Sequence, residues 1–566
     1  MRGTPKAMSK TSKGGSRPRE GIPTLRSRYE KGCSLSPARI SSRIPRSSST
    51  RSSATRAKIC SLGGAALSSP PRELRDRTRR RAEIIGGLVG GARLYFCGRI
   101  PILRSLSPLH KEKTSSRILE SALKIAILGA GVTGLTLARL LHEDKHDVCV
   151  LEKGKVPGGL CRSTVVDGFT CDNAGGHILF SKNKEVLDWM KDRVGRDALV
   201  ETERQTRILW HDRYVPYPFE NGIGSLTPQA RYDCLSGYLK AVEKRKSGAP
   251  CPVNFRDWIF WKMGDGLAEH FMIPYNEKIW ECPLEEMDAS WVAGRVPDAP
   301  VEDIIKAAVG LRTEGYTHQS VFWFPKHGGF QALTDGIAKG LEEKVHCKTP
   351  VQSLRRKGER FEVNGEDYDL VINTIPLKEL AEVFEDMDEG IREECRQLHP
   401  LSVCTVLVGY KTDTPPDPLS WIYLPFEDQG PANRVTFFSN YSPHNAPPGH
   451  ASYMAEVTYR GDSLNPDQEW LDSLVSSLES CKLLKKSDVV TVQPFLSRYA
   501  YVDQNLAFPQ RIARVRAWFD QSGLLTVGRF GRYEYHNSDQ CIARAFQVHE
   551  HIRAFAASGE PKPLVL

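Results

Sequence analysis

Three glycines, Gly129, Gly131 and Gly134, stand where backbone N–H groups could be brought against a phosphate. An apolar run over residues 125–128 precedes them and apolar residues at helical spacing follow, so the pattern predicts a strand, a tight turn and a helix. Glu152 ends the next apolar run, about twenty residues beyond the loop, where a carboxylate can accept hydrogen bonds from a ribose. Together these residues predict a site for an adenine dinucleotide.

Each glycine has its own expected role in this unit. Gly129 allows the turn, Gly131 lets the backbone approach a pyrophosphate, and Gly134 lets the helix pack closely on the strand. The N-terminus of the helix then offers unpaired N–H groups and a partial positive charge to the phosphates. Three glycines also occur in ordinary turns, but the flanking strand, helix and acidic residue disfavour that alternative.

A second glycine pair, Gly158 and Gly159, follows shortly after Glu152 and leads into Arg162. A cation beside a flexible turn can make a second phosphate contact. A surface turn without a ligand is the alternative interpretation of this stretch.

Gly176 and His177 follow a predicted strand around Phe169. Two adjacent glycines at 175–176 would let the backbone lie against a flat ligand, such as the isoalloxazine ring of a flavin. His177 would then lie beside that ring. A chemical role for the imidazole and a core histidine hydrogen-bonded to backbone are equally compatible with its position.

The C-terminal part carries a further group of candidate residues. Residues 525–528, ending in Gly528, read as a buried strand, and a loop with Arg529 and Tyr535 follows. Residues 537–539 then read as the cap of a helix that runs to about Phe555. The N-terminus of that helix can face an electron-rich carbonyl of a flavin, with Asp539 beside it; an ordinary N-cap is the alternative for Asp539.

The remaining pattern predicts an α/β fold, in which a Rossmann-type FAD-binding domain carries an inserted helical segment and an antiparallel-sheet substrate domain. Apolar residues recur at helical spacing over 227–246 and 255–280, and strands are predicted near 405–410, 434–438 and 453–458. The predicted segments are 119–225, 321–400 and 501–566 for the FAD-binding domain, 226–320 for the helical insertion and 401–500 for the antiparallel sheet.

The net charge of +10 hides a strong asymmetry along the chain. Residues 1–120 hold 27 Lys and Arg against 7 Asp and Glu, which leaves 51 against 61 for the remainder. We therefore expect residues 1–118, rich in Ser and Arg, to be disordered. Three interpretations of this tail stay open: an organelle transit peptide, a start codon assigned too early, and a nucleic-acid-binding arm.

Composition excludes several classes for the rest of the chain. The globular part is acidic and gives no indication of a nucleic-acid partner. The 14 cysteines form no CxxC pair or Cys/His cluster at metal-ligand spacing, which predicts no metal site and a reduced, cytoplasmic compartment. The longest apolar stretch of the tail is too short and Gly-rich to span a bilayer, so no transmembrane helix is predicted.

From about residue 123 to 556 the sequence resembles the UDP-galactopyranose mutases, within the broader amine-oxidase and protoporphyrinogen-oxidase-like flavoproteins. The first matching motifs, the GAGVTG loop and Pro-Gly-Gly-Leu at 157–160, are shared by many flavoenzymes. More specific to mutase-like proteins are the motifs Val-Pro-Tyr-Pro-Phe at 215–219, Pro-Tyr-Asn-Glu-Lys-Ile-Trp at 274–280, Ser-Asn-Tyr-Ser-Pro at 439–443, and Gly-Arg-Phe-Gly at 528–531 with Tyr533 and Tyr535.

The resemblance implies an isomerase that uses reduced FAD and interconverts the pyranose and furanose forms of a UDP-sugar. In that reaction the flavin N5 forms an adduct with the sugar as UDP leaves, with no net redox change. Carried over by motif, Arg529 would bind the diphosphate, Tyr535 and Tyr501 would donate hydrogen bonds to it, and Asn276 would lie in the substrate pocket. A reductant such as NAD(P)H is implied, and a homo-oligomer is an open option.

One departure from the family keeps a second interpretation open. The eukaryotic mutases carry an arginine before the Gly-Gly that follows Phe-Pro, and this chain has His327 there. Lys326 or Arg295 would have to supply the missing cation. The alternative is a flavin oxidoreductase of the amine-oxidase or protoporphyrinogen-oxidase type, acting on another substrate; a flavoprotein that has lost its chemistry is a third option.

Overall fold

A computed structural model describes residues 122–558, apart from 293–294, 297–298, 312, 314–319 and 462. The disorder expected for residues 1–118 lies outside the described residues. The helices are α1 Val132–Glu143, α2 Lys184–Val194, α3 Phe219–Gly222, α4 Pro228–Lys246, α5 Phe255–Leu267, α6 Ile273–Trp280, α7 Val301–Ala308, α8 Gln331–Ala338, α9 Leu377–Val383, α10 Glu389–Arg396, α11 Gln468–Ser480, α12 Phe508–Ser522 and α13 Ser538–Ser558.

The strands fall into two large sheets and three small ones. They are β1 Lys124–Leu128, β2 Asp147–Leu151, β3 Ser163–Val166, β4 Phe169–Asp172, β5 Leu199–Glu203, β6 Thr206–Trp210, β7 Arg213–Pro216, β8 Val321–Pro325, β9 Val345–His346, β10 Leu354–Lys357, β11 Arg360–Val363, β12 Glu366–Tyr368, β13 Leu370–Asn373, β14 Pro400–Lys411, β15 Trp421–Tyr423, β16 Arg434–Thr436, β17 His450–Tyr459, β18 Val489–Val502 and β19 Leu525–Thr526.

A five-stranded parallel sheet forms the dinucleotide-binding part, in the order β19-β13-β1-β2-β9. Its central strand β1 is buried from Ile125 to Leu128 because those four residues are apolar, and Ile127 pairs with Val150 on one side and Ile372 on the other. Helix α1 returns over the sheet and packs against α13 and α8. The predicted strand, turn and helix are therefore confirmed, and the turn lies at the carboxyl edge of the sheet, where such folds bind ligands.

The second large sheet has seven strands in the order β18-β14-β17-β16-β15-β6-β7. Its pairs are antiparallel except for β15 and β6, which run parallel, so the prediction of an antiparallel sheet needs that correction. Strands β6 and β7 lie within 119–225, the segment assigned to the FAD-binding domain, yet they pair here. An apolar strand pattern predicts that a strand forms, but it does not predict which sheet the strand joins.

Helices α4 to α7 lie in the segment predicted as a helical insertion, and two of them begin at side-chain caps. The Thr227 side chain caps α4, and the Asn254 side chain accepts from the Asp257 N–H at 2.9 Å to start α5. The two helices approach so closely that a Cβ on Gly264, whose φ is +75°, would lie 2.2 Å from the Gly237 carbonyl oxygen. Only glycine fits there, and the contact fixes where α5 and the following helix α6 lie.

The main core lies between the five-stranded sheet and the helices that cover it. Ile127, Leu137, Ile337 and Val548 are fully buried in one continuous cluster. Within the described part of the chain, no helix is both long and apolar enough to cross a membrane.

Candidate functional site

A cavity of about 1020 Å³ lies where the carboxyl edge of the parallel sheet meets the seven-stranded sheet. All but two of the predicted site residues line it. On its wall are Gly129, Gly131, Glu152, Gly158, Gly159, Arg162, Gly176, His177, Tyr501, Gly528, Arg529, Tyr535 and Asp539; Gly134 and Asn276 are not. The structure thus gathers into one cavity residues that are more than 400 positions apart in the chain.

The three glycines of the first loop, Gly129, Gly131 and Gly134, differ in backbone conformation and in the space around them, and each difference agrees with the role predicted for that residue. Gly129 has φ +100°, which allows the turn. A Cβ on Gly134 would lie 2.1 Å from the Gly129 carbonyl oxygen, so glycine is needed for the helix to pack on the loop. A Cβ on Gly131 would meet nothing within 4 Å, because this residue faces the open cavity. The loop therefore has room for a pyrophosphate against its backbone.

Glu152 fixes the same loop through its carboxylate. One oxygen accepts from the Ala130 N–H at 2.9 Å and the other from the Gly154 N–H at 2.7 Å. An ionised carboxylate has about four acceptor positions, so two are left for ribose hydroxyls. The residue fits the predicted role and also orders the turn beside it.

The second glycine pair packs against the phosphate loop and is not a bare surface turn. The Gly158 N–H donates to the Ala130 carbonyl at 2.8 Å, and a Cβ on Gly159 would lie 3.0 Å from the Gly131 Cα. The Arg162 Nε donates to the Gly159 carbonyl at 3.0 Å, which holds the guanidinium beside the two glycine turns. Two glycine turns and a cation thus line the same end of the cavity.

Gly176 and His177 also line the cavity. The Gly176 N–H donates to a carboxylate oxygen of Glu456 at 3.3 Å. The His177 ring stacks on Phe330, with 5.0 Å between centroids and 25° between planes. Burial lowers the pKa of His177 to about 4, so the imidazole is neutral near pH 7. It can therefore be either a donor or an acceptor toward the cavity, depending on its tautomer.

An ion pair between Arg434 and Glu456, which was not predicted from the sequence, lies beside these residues, and its Arg434 lines the cavity. The guanidinium donates to both carboxylate oxygens, at 2.7 and 2.5 Å, and the Glu456 side chain is 1% exposed. The two residues are direct cross-strand neighbours on β16 and β17. The signal in the sequence was one charged residue in each predicted strand, Arg434 at the start of 434–438 and Glu456 within 453–458. Their pairing depends on a register that cannot be read from the sequence.

Arg529 lines the cavity but is held by the backbone on its other side. Its Nε and Nη2 donate to the Ala500 carbonyl at 3.0 and 2.7 Å, and its Nη1 donates to the His536 carbonyl at 2.5 Å. The guanidinium also lies 4.7 Å from the centre of the Tyr535 ring. Since a guanidinium has five N–H groups, these three bonds leave two for a ligand.

Two tyrosines stand beside this arginine. The Tyr501 and Tyr535 rings are 6.0 Å apart, and Arg295 lies 3.9 Å over the Tyr535 ring. Burial raises the pKa of Tyr501 above its usual value, so its hydroxyl keeps its proton and can donate a hydrogen bond. This end of the cavity therefore combines cations with neutral hydroxyl donors.

Helix α13 begins at the cavity, but Asp539 is not its N-cap. The Asn537 carbonyl accepts the first helical bond, from the Cys541 N–H at 2.9 Å, so the cap position belongs to Asn537. Asp539 lies in the first turn, where a carboxylate oxygen accepts from the Ser181 hydroxyl at 2.8 Å. The alternative of an ordinary N-cap is therefore wrong for Asp539, since Asn537 occupies that position.

Asn276 does not lie on the cavity wall, contrary to the expectation carried over by motif. It is buried, and its side-chain amide donates to the Met272 carbonyl one helical turn earlier, at 2.7 Å. Its helix α6 presents Tyr275 and Ile279 to the cavity instead. The motif identified the correct helix, but the face of that helix depends on how α5 packs before it.

His327, which stands where the eukaryotic mutases carry an arginine, lies away from the cavity. His327 is exposed, and its ring centroid is 4.0 Å from that of His444. Lys326 donates to the Asp197 carbonyl at 2.6 Å, so it supplies no cation to the cavity wall. Among the residues that the structure describes, no three His, Cys, Asp or Glu side chains could hold a metal ion.

Comparison with known proteins identifies the family. The model for flavin containing amine oxidoreductases matches residues 132–501, more than half of the chain. A solved structure of reduced UDP-galactopyranose mutase is 27% identical, with a TM-score of 0.70, and the match covers 79% of this chain and 100% of that one. A putrescine oxidase bound to putrescine shares the fold at 16% identity and a TM-score of 0.53, covering 77% of this chain and 99% of that one.

A relative found by sequence is also a UDP-galactopyranose mutase, and it matches a shorter part of the chain. The UDP-galactopyranose mutase of Mycoplasma pneumoniae is 22% identical over 237 residues, which are 40% of this chain and 56% of that enzyme. The chain thus matches little more than half the length of this relative. The cavity fits the cofactor of the family, since it joins an open glycine loop, the Glu152 carboxylate beside that loop and a second pair of glycines. The chain therefore belongs to the flavin-containing amine oxidoreductase family, and FAD is its cofactor.

Proposed function

We propose that this protein is a UDP-galactopyranose mutase-like isomerase, which interconverts the pyranose and furanose forms of a UDP-sugar with reduced FAD bound. The observation that carries the proposal is the cationic and aromatic end of the cavity. Arg434 and Arg529 line that end together with Tyr275, Tyr501 and Tyr535. Such a wall suits the anionic phosphates of a nucleoside diphosphate, whereas it would repel a cationic amine substrate.

Arg434 and Arg529 each have N–H groups that are not used in bonds within the protein and could bind a diphosphate. Arg434 uses its Nε and Nη2 on Glu456, which leaves the Nη1 side of its planar fork. Arg529 keeps two N–H groups beyond its bonds to the backbone carbonyls. Because both guanidinium groups are already held in place, little side-chain entropy is lost when they bind a phosphate.

The tyrosines supply neutral donors at the same end. Burial raises the pKa of Tyr275 and Tyr501 well above physiological pH, so both hydroxyls stay protonated. A protonated phenol can donate to a phosphate oxygen without adding charge. Reduced FAD, when bound, would supply the nucleophile for the anomeric carbon, while these side chains hold the diphosphate leaving group and aim the sugar.

A flavin oxidoreductase acting on another substrate is the second candidate, and one observation favours it. Glu456 neutralises Arg434 through two short hydrogen bonds, which reduces the net positive charge available to a diphosphate. The family model that matches the chain is also that of amine oxidoreductases. UDP affinity separates the two candidates, because the oxidoreductase has no need of a diphosphate site.

Replacing Arg529 by alanine is expected to weaken UDP binding by about 1.5–3 kcal/mol, the scale of a charge-assisted hydrogen bond. FAD should stay bound, and the UDP affinity is measured by titration calorimetry on the FAD-loaded protein. Arg516→Ala is the matched control. Arg516 donates to the Arg532 and Tyr533 carbonyls in the same loop, but it does not line the cavity.

The control separates a loosened loop from a lost ligand contact. Both variants should lose some stability, since both leave backbone carbonyls without their partners. Only Arg529→Ala should lose UDP affinity. Equal affinity for UDP in the wild type and in Arg529→Ala would argue against the mutase assignment.

A further inference from the structure

Helix α8 begins without a side-chain cap of its own. The first N–H groups of a helix have no partner inside it, so they need one from elsewhere. Here the Phe330 N–H donates to Asp172 Oδ1 at 3.0 Å, and the Gln331 N–H donates to the Ser163 hydroxyl oxygen at 3.0 Å. The Ser163 hydroxyl in turn donates to the same Asp172 oxygen at 2.6 Å. The β3–β4 hairpin therefore caps α8 and fixes where that helix begins.

Gly329 lets the chain come close enough to the hairpin for this cap. Its φ is +64°, and a Cβ there would lie 2.4 Å from the Ser163 Oγ and 2.9 Å from Asp172 Oδ1. A side chain at this position would push the start of α8 away from the hairpin. The close contact therefore also fixes the position of Gln331, the first residue of α8.

The Gln331 side chain reaches from α8 to the second glycine turn. Its amide nitrogen lies 3.2 Å from the Pro157 carbonyl oxygen and 2.8 Å from Asp335 Oδ1. An amide has two N–H groups, so it can donate to both acceptors. The amide also lies against Gly158, where a Cβ would be 3.0 Å from the Gln331 Oε1. Gln331 does not line the cavity itself, whereas Gly158 and Gly159 do.

The second glycine turn depends on its neighbours for a fixed conformation. Gly158 and Gly159 both have positive φ, +118° and +57°, and glycine has access to many other conformations. On one side the Gly158 N–H donates to the Ala130 carbonyl of the phosphate loop at 2.8 Å. On the other side Gln331 holds the turn through Pro157. A loop that is already held in its bound conformation loses less entropy when a ligand binds to it.

We propose that Gln331 is a positioning residue for FAD, which holds the second glycine turn against the phosphate loop so that both turns line the same end of the cofactor cavity. Ser163 and Asp172 support Gln331 by fixing the start of α8. None of these contacts involves a substrate, so the inference applies equally to a mutase and to an oxidoreductase.

The test is the dissociation constant of FAD in Gln331→Met. Methionine is similar in length and can pack against Gly158, but it cannot donate to the Pro157 carbonyl. We expect FAD to bind roughly threefold to tenfold more weakly, the range that corresponds to one uncharged hydrogen bond. Flavin fluorescence during serial dilution of the FAD-loaded full chain gives the constant. Unchanged affinity in Gln331→Met would overturn the proposal.

Arg139→Met is the matched control at the other end of α8. The Arg139 Nε donates to the Ile337 carbonyl at 3.0 Å, and its Nη2 also donates to the Lys339 carbonyl. This arginine thus ties down the last turn of α8, whereas Gln331 belongs to the first. FAD affinity should stay unchanged in Arg139→Met. An equal loss in both variants would show that Gln331 acts through the general stability of α8, which would contradict the positioning role.

Hydrogen exchange in the FAD-loaded chain locates the effect of each substitution. The Gly158 N–H is bonded to the Ala130 carbonyl, and the Cys161 N–H is bonded to the Gly158 carbonyl. Both N–H groups should exchange faster in Gln331→Met, whereas Arg139→Met should speed exchange near residues 337–339. Weaker FAD binding without faster exchange in the turn would rule out the proposal, because Gln331 would then act elsewhere.

Gln331→Asn covers the case in which Gln331→Met does not fold. Asparagine keeps the amide but is shorter by a methylene, so it falls short of the Pro157 carbonyl. It should lose FAD affinity to the same degree, and wild-type affinity in this variant would count against the proposal. None of these measurements uses a sugar nucleotide, so this inference and the proposed function can fail separately.

Discussion

Replacing Gly131 by valine is expected to give a folded protein that contains no FAD. A Cβ at this position meets no atom of the protein within 4 Å, so the substitution should cost little in stability. The side chain would instead occupy the space beside the phosphate loop that a pyrophosphate needs. Flavin absorbance after purification and a thermal melt of the same sample test both halves of this expectation.

Gly134→Ala is the matched control, three residues along the same loop. Its Cβ would lie 2.1 Å from the Gly129 carbonyl oxygen, and the backbone cannot give way without moving the turn. This variant should therefore lose stability as well as FAD. A yellow Gly131→Val protein would show that the cofactor does not approach the backbone at this loop.

Removing the cation of the buried ion pair should have the largest effect on stability. Arg434→Met leaves the Glu456 carboxylate without its partner at 1% exposure, and breaking a buried pair in this way costs about 3–5 kcal/mol. The free energy of unfolding from urea titration measures the loss. Adding Glu456→Gln should recover part of it, because the remaining amide carries no charge and still accepts from the Gly176 N–H.

The exposed pair of Arg396 and Glu382 provides the comparison. Its nitrogen and oxygen are 2.9 Å apart, much as in the buried pair, but the side chains are 39% and 55% exposed. Arg396→Met should cost at most about 1 kcal/mol. If the two arginine variants lose similar stability, burial does not determine the contribution of the Arg434 pair.

The parts of the fold that depend on local sequence could be predicted before the structure. The phosphate loop around Gly129, Gly131 and Gly134 follows from glycines between a strand and a helix pattern. Glu152 follows from its distance along the chain. The resemblance to a known family then located Arg529 and Tyr501 on the same cavity, although neither is near the loop in sequence.

Residues whose role depends on long-range packing could not be predicted. Arg434 and Glu456 meet because β16 and β17 pair in one particular register. For Asn276, too, the contacts of the side chain could not be predicted from the sequence. Its motif was recognised, but the side chain bonds to its own helix and not to a ligand.

Turnover by the reduced protein is the direct test of the proposed mutase activity. The FAD-loaded chain is incubated with UDP-galactofuranose, first oxidised and then after reduction by dithionite, and the products are separated by chromatography. Conversion to UDP-galactopyranose is expected only after reduction. A protein that is yellow and bleaches with dithionite, yet leaves UDP-galactofuranose unchanged in both states, would contradict it.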